Sequence, residues 1–397
     1  MYSLATKLSV PIEDIKLGIL NYAIGIRDIN SSRSSKIKRG RNDFIVKEII
    51  DLPKQVQEAD WLLILIKKPY GVDSMAVLRL LANKLPLKDI YIYGLKDKYS
   101  EAYQYICLHR RYIDIFNKII MDKGIEIVEI KHVSTPHIVR EYIAGNEFKI
   151  AVYNPPRSDV SNYICGILEV MGVPNYYGYQ RFGVHRLNHI AGKTIILGKN
   201  HLDSLPEHLY KILVKVFNFN KYFSDKRWRK RNKRLINLLL NSFQSYMFNL
   251  AISLRMQLVG DLHNLLPGDY YFHYEPKLGR YIIRKCDESI TYVKNYVLAV
   301  PLLDYKYLSI DSNDSFRDIY MELLEREGLS IKDFKRMAKE KLLVTGGFRK
   351  AILKPKQVSY EYIDGKMFIS FVLDRGGYAT IVLRELIKPL SPSKQGF

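Results

Sequence analysis

Tyr93-Gly94-Leu95-Lys96-Asp97-Lys98 is the stretch whose residue types and order most readily do chemistry. A β-like run at 90–93 enters a glycine turn, and one carboxylate follows with a lysine on each side. Nearby cations favour the charged form of a carboxylate, so Asp97 is expected to be ionised at neutral pH. At a strand end it suits a nucleophile or a base, although an ordinary charged surface turn has the same composition. His185 and His189 have the i,i+4 spacing of two metal ligands on a helix. Position 186 is Arg, where a zinc peptidase carries its Glu base, and no third ligand is evident. The pair therefore reads as surface or RNA-facing, and no metal is expected. Gly192-Lys193-Thr194 resembles the end of a phosphate-binding loop, but Leu187 stands where that loop needs a glycine, so the loop is dismissed. Cys107, Cys165 and Cys286 are scattered and odd in number. They read as buried, reduced thiols rather than a disulfide framework or a metal set.

The whole composition narrows the partner. Lys and Arg number 62 against 41 Asp and Glu, a formal net charge of +21 over 397 residues. An excess of that size suits a polyanion, either nucleic acid or an anionic membrane. No apolar run has the length of a membrane-spanning helix, and the first residues lack a signal-peptide core. A cytoplasmic, nucleic-acid-facing protein is expected, with no membrane partner. Thirty tyrosines and sixteen phenylalanines fit this, because aromatic rings stack on unpaired bases while Lys and Arg hold phosphates. Most of those rings are still expected to be core or strand residues.

The elements that must position Asp97 follow from periodicity. Strand-like runs fall at 44–49, 61–66, 90–93, 103–108, 125–133 and 147–152. Ser74 is placed to cap a helix with Met75, Leu78, Leu81 and Leu85 on its apolar face. From about 185 to 260 the period becomes helical, with helices at 205–217 and 233–257. Between them lies Lys226-Arg227-Trp228-Arg229-Lys230-Arg231-Asn232-Lys233-Arg234, with seven positive charges in nine residues. That density, with an embedded Trp228, favours phosphate contact over a merely solvated face. Residues 313–341 again read as helix. Strands return at 358–363 and 367–373, followed by a short helix at 378–387. The order α+β, helix, β is economically explained by a helical insertion inside one α+β domain.

Five segments in this order resemble the TruD/Pus7 family of RNA pseudouridine synthases. Gly94-Leu95-Lys96-Asp97-Lys98, with Gln104 after it, resembles the family's G-x-K-D-[KR] motif. Asn146-Glu147-Phe148 resembles N-x-F, and Asn175-Tyr176-Tyr177-Gly178-Tyr179-Gln180-Arg181-Phe182-Gly183 resembles N-Y-[FY]-G-x-Q-R-F-G. Gln244-Ser245-Tyr246-Met247-Phe248-Asn249 resembles Q-S-Y-L-F-N. Gly376-Gly377-Tyr378-Ala379-Thr380 with Leu383-Arg384-Glu385 resembles G-S-Y-A-T…L-R-E. The chain departs from the pattern at Arg41 and Asn42, where Pro and Glu are usual in K-x-x-P-E-D-F, and at Asp374 and Gly377.

The resemblance implies an α+β pseudouridine-synthase domain with a central mixed sheet, interrupted by a mostly helical insertion. The expected division is 1–177 and 343–397 for the catalytic domain and 178–342 for the insertion. It implies isomerisation of a tRNA uridine, at position 13, with Asp97 as the catalytic carboxylate and no cofactor. Lys38 is the candidate partner of Asp97, leaving Lys96 and Lys98 to face RNA or solvent. Phe148 is expected beside the uracil, with Asn146 in support. Arg181 and the block Lys226, Arg227, Trp228, Arg229, Lys230 and Arg231 are candidates for the RNA backbone. The segment 175–183 either touches RNA or builds a junction. A non-catalytic RNA-binding or chaperone protein on the same scaffold is the alternative.

Overall fold

A computed structural model describes residues 10–24, 34–37, 40–52, 58–94, 96–276, 280–287, 296–310, 314–340, 342 and 346–397. The chain forms two compact units. One comprises Ile26–Gly172 and Lys354–Phe397, and the other Met1–Gly25 and Val173–Leu353. The first unit carries β1 (Lys36–Ile37), β2 (Phe44–Ile50), β3 (Trp61–Lys68), β4 (Ile90–Ile92), β5 (Glu101–His109), β6 (Glu126–Val133) and β7 (Ile143–Tyr153). The second carries β8 (Val173–Pro174), β9 (Tyr270–Glu275), β10 (Arg280–Lys285), β11 (Tyr296–Leu302), β12 (Gly347–Lys350) and β13 (Ile352–Leu353). The chain then returns to the first unit with β14 (Lys356–Ile363) and β15 (Lys366–Asp374).

In the first unit a nine-stranded sheet runs β14-β15-β7-β2-β5-β3-β6, with β1 beside β7 and β4 beside β5. The β2–β5 pair is parallel and its neighbours are antiparallel, so the sheet is mixed. The run Trp61–Lys68 shows why its strand reads as continuously apolar. Leu62, Ile64 and Ile66 pack with Val77, Leu81 and Phe116 of two helices on one face. Leu63 and Leu65 pack with Tyr105, Cys107 and Val139 on the other. A strand buried on both faces has no polar side to alternate with. By contrast β15 alternates strictly, with Met367, Ile369, Phe371 and Leu373 buried.

In the second unit the 27-residue helix Lys233–Val259 is the central element. Its buried face includes Leu239, Phe243, Met247 and Phe248. The expected helix at 205–217 starts at Glu207, and 313–341 resolves into two helices, Ser315–Arg326 and Ile331–Lys339. This unit also holds a four-stranded sheet, β10-β9-β11-β12, which the helical reading of the insertion did not anticipate. Its chain ends are fastened to each other, because Val173 pairs with Leu353 and Pro174 with Ile352. That pairing puts the unit's ends at 173 and 353, where the sequence suggested 178 and 342. Residues near 17–20 also belong to it. The Leu20 N–H donates to Ser253 Oγ at 3.1 Å, and Asn249 Nδ2 donates to the Leu17 carbonyl at 2.9 Å.

Candidate active site

Short β4 delivers the chain to Gly94, and long β5 takes it away at Glu101, so the intervening turn is held at the end of two paired strands. Leu95 lies outside the described residues. Gln104, buried on β5, donates from Nε2 to the Gly94 carbonyl at 2.8 Å and accepts at Oε1 from Ser74 Oγ at 3.0 Å. Ser74 Oγ in turn accepts the Lys96 N–H at 3.2 Å. The helix at 74–82 is capped by Asp73, whose carboxylate accepts from the Met75 N–H at 3.1 Å. Ser74 is therefore not the cap expected of it, and its hydroxyl serves the turn instead.

The lysine before Asp97 faces neither RNA nor solvent, as the sequence had suggested. Its side chain is 8% exposed, and Nζ lies 2.8 Å from Glu48 Oε1. Nζ also donates to Asn146 Oδ1 at 2.7 Å. Glu48 is 3% exposed and its second oxygen accepts the Tyr105 N–H at 2.7 Å. A pair buried this far from water depends on having its oxygens and protons engaged, and these contacts engage both Glu48 oxygens and two of the Lys96 protons. Gly94 is required here, since a Cβ would stand 2.7 Å from Glu48 Oε1. Lys98, on the far side of Asp97, is exposed.

A second lysine secures the turn from below. Lys68 at the end of β3 has no exposed surface. Its Nζ donates to the carbonyls of Val72 (2.7 Å), Ser100 (3.0 Å) and Asp97 (3.1 Å). Burial lowers its pKa to about 8, against the opposing pull of the Asp97 and Asp73 carboxylates. Asp97 itself is partly buried, and its Oδ1 accepts the Tyr99 N–H at 3.3 Å. Lys38, the partner expected for Asp97, lies outside the described residues.

Asn146 and Phe148 share one face of β7, two residues apart. Asn146 pairs across the sheet with Glu48, and Phe148 with Val46 and Phe371. The Phe148 ring is 8% exposed and lies between Phe44, edge-on at 6.1 Å, and Phe371 at 5.6 Å. The structure thus joins Lys96, Asn146 and Glu48 in one network beside Asp97, which follows Lys96 in the chain, with Phe148 further along the same strand face. Glu48, Ser74 and Lys68 were missed as site residues. Each is a polar group that is buried beside an apolar neighbour, and burial of that kind leaves no mark in composition.

The nine-residue segment at 175–183 lies in the second unit, as interior. Tyr176, Tyr179 and Phe182 are at most 2% exposed. The Tyr177 N–H donates to Asn249 Oδ1 at 2.8 Å, and its ring carries the Arg349 guanidinium at 4.2 Å. Arg349 also donates to Asn175 Oδ1 at 2.7 Å. Arg181 donates from Nε to Ser245 Oγ at 3.0 Å and lies 5.5 Å from the Tyr177 ring centre. Its guanidinium braces the long helix. The segments 175–183 and 244–249 therefore recognise each other.

The basic block forms the helix Lys226–Arg231, capped by Asp225. Lys226, Arg227, Lys230 and Arg231 are exposed, and Trp228 is half-buried. Arg229 turns inward and donates to the Tyr222 carbonyl at 2.7 Å. His185 is exposed, but His189 is not the surface residue expected. It is 6% exposed, tilted against Tyr246 at 5.0 Å and edge-on to Phe182 at 5.3 Å. Burial lowers its pKa to about 4. Among the described residues no cluster of His, Cys, Asp and Glu could hold a metal, and no helix is long and apolar enough to cross a membrane. The three cysteines are buried and free, and burial pushes Cys107 up to about 11.

A sequence model of tRNA pseudouridine synthase D (TruD) matches residues 16–205 and 211–386. The chain is similar to "Probable tRNA pseudouridine synthase D" of Pyrococcus furiosus, 27% identical over 89% of this chain and 95% of that protein. A protein of the same name from Pyrobaculum islandicum is 27% identical over 98% of this chain and 100% of its own length. The crystal structure of the "Putative tRNA pseudouridine synthase D (TruD)" from Methanosarcina mazei superposes with a TM-score of 0.68 at 22% identity, covering 96% of this chain and 98% of that one. The superposition supports the fold, and the sequence match extends over both units. The chain belongs to the tRNA pseudouridine synthase D (TruD) family of isomerases.

Proposed function

We propose that this protein isomerises a uridine of tRNA to pseudouridine, with Asp97 as the catalytic carboxylate. The observation that carries the reading is the holding of the turn around Asp97. Lys96 is locked to Glu48 and Asn146, and Lys68 gathers the carbonyls on both sides of the turn. A turn fixed in this way holds the backbone from which the Asp97 carboxylate is presented, so little of it has to reorganise when charge develops on a bound nucleoside.

The reaction breaks the bond from uracil N1 to ribose C1′, turns the detached base and joins its C5 to C1′; C5 then loses its proton and N1 gains one, so the overall proton count is unchanged. Substrate and product are isomers, so the balance requires no oxidant or cosubstrate. Asp97 acts either as nucleophile at the sugar or as base at its 2′ position. The Phe44–Phe148–Phe371 stack gives the niche an apolar wall beside which the uracil turns, and Asn146 helps to orient the turn through Lys96. The nucleotide must leave its helix to enter, so the bound tRNA is locally unstacked. Family resemblance supports the uridine at position 13. The exposed cations of the helix at 226–231 are proposed to hold phosphates, while Arg181 and Arg229 support the scaffold that presents them. Lys38 is retained as the proposed partner of the Asp97 carboxylate.

The test is to incubate uridine-labelled tRNA transcript with wild type and with Asp97→Asn and to map pseudouridine. Wild type should convert one uridine, and the variant should bind tRNA yet convert at least about a thousandfold more slowly. Equal conversion by both would sink the assignment of Asp97. Binding without conversion by either would favour the RNA-binding alternative.

A further inference from the structure

The second unit carries aromatic side chains that neither its core nor the turn at Asp97 uses. Alternation along β9 and β10 puts Tyr270, Tyr274, Tyr281, Ile283 and Lys285 on one face of the four-stranded sheet. The opposite face is the covered one, where Tyr271 and Leu298 are buried and Arg349 stacks on Tyr177 and Phe248. On the first face Tyr274 is 44% exposed, Tyr281 48% and Ile283 43%. The sheet is also strongly curled toward that face. Lys350 belongs to β12 and Tyr281 to β10, the two edge strands, yet Lys350 Nζ stands 4.3 Å from the Tyr281 ring centre. In a flat sheet their backbones would be three strand spacings apart, about 14 Å, and side chains standing perpendicular to the sheet would not close that gap. Tyr270 and Phe348 meet at 4.9 Å in the same way, across the intervening β11.

A long exposed edge strand with tyrosine and isoleucine invites self-pairing unless it is charged or occupied. Here the edge carries Arg280, Arg284 and Lys285, all exposed. Lys285 lies 5.8 Å from the Tyr270 ring, so a cation sits beside an aromatic at both sides of the concave face. Tyr274 and Tyr281 meet edge-to-face at 5.4 Å, so the half-exposed pair offers a ring face to solvent beside lysines on a curled sheet, and an unpaired nucleic-acid strand needs such a surface: bases stack and phosphates find cations. A duplex, whose bases are already stacked, could use only the cations.

We infer that the concave face of the β10-β9-β11-β12 sheet binds a single-stranded stretch of the RNA substrate by stacking its bases on Tyr274 and Tyr281. The inference rests on the proposed RNA reaction for its choice of occupant. It places a second RNA contact in the second unit, distinct from the helix at 226–231.

The test uses the full chain with a fluorescein-labelled ten-residue oligouridylate and, separately, a ten-base-pair RNA duplex. The double variant Tyr274→Ala/Tyr281→Ala should bind the oligouridylate about ten- to a hundredfold more weakly, while its duplex affinity stays within about twofold of wild type. Tyr274→Phe/Tyr281→Phe keeps the rings and should match wild type. Ultraviolet irradiation of the wild-type complex should place the crosslink on Tyr274 or Tyr281. Wild-type affinity in the Ala variant overturns the inference, and so do equal losses for strand and duplex or crosslinks confined to other segments. So does a dimer in sedimentation that the Ala variant dissolves without loss of oligouridylate affinity, since the face would then join two copies. Ring-dependent binding without uridine conversion by wild type would overturn the proposed reaction and leave this site standing. Conversion with ring-independent binding would do the reverse.

Discussion

Lys68 is a cation with no water, aimed at backbone rather than at a carboxylate. Its value lies in closing the turn on which Asp97 stands, and that makes it testable by pH. Its folded pKa is lowered to about 8 by burial, below the value near 10.5 of an unfolded lysine. Between those two values the unfolded chain binds more protons, so the contribution of Lys68 to stability rises with pH through that window. The difference in urea unfolding free energy between wild type and Lys68→Met should therefore grow from pH 7.5 to pH 9.5. A constant difference would show that the side chain titrates normally. The same substitution leaves several buried carbonyls without a donor and should cost about 2–4 kcal/mol at neutral pH. At this scale the motif around Asp97 and the N-x-F segment at Asn146 and Phe148 stand out because they are local, and the roles of these residues are those proposed above. Lys68 was not legible, since a Lys-Lys pair ending an apolar strand reads as a strand emerging into water. Lys96 was misjudged for a related reason. Flanking a carboxylate in sequence said nothing about Glu48, which arrives from another strand.

Elements were legible where burial has a period. The helix at 233–257 was expected and extends to Val259, and β15 alternates as a half-buried strand should. The four-stranded sheet was not legible. Strands such as Arg-Tyr-Ile-Ile-Arg-Lys leave tyrosine and isoleucine in water on one face, so the usual contrast between inward and outward positions is lost. Gly192 shows the converse, a sequence feature with a misleading context. It ends a would-be phosphate loop, yet it lies inside the helix Asn188–Leu197, where that helix crosses Lys233–Val259. A Cβ there would stand 2.2 Å from the Leu239 carbonyl oxygen. Lys193 meanwhile pairs with Glu327 at 2.7 Å. Gly192→Ala must push the two helices apart and should lower stability by about 1–3 kcal/mol, read as a drop in the denaturant midpoint. An unchanged midpoint would mean that the two helices do not depend on contact at Gly192.

The charge of +21 belongs to the molecule as a whole, but its consequences for binding depend on which cations face outward. In the basic helix Lys226, Arg227, Lys230 and Arg231 do so, while Arg229 is committed to Tyr222. Changing those four to Gln should weaken tRNA binding and lower the slope of log affinity against log salt by up to about 3, with little change in thermal stability. A slope equal to that of wild type would remove this helix from the interface. The sequence shows a change of period near 185 and a return of strands after 350. The junctions of the two compact units fall instead at two-residue strands, Val173–Pro174 and Ile352–Leu353, too short to show a period. The return of the chain has a further consequence, for synthesis. β7 is made early, but one of its edges is covered only by β15, along nine residue pairs from Tyr153 to Gly145. About two hundred residues intervene between the two strands. Until β15 is made that edge lacks its partner strand and Phe148 lacks Phe371. A chain cut short between β7 and β15 is therefore expected to present an open β edge of the kind that pairs with other chains.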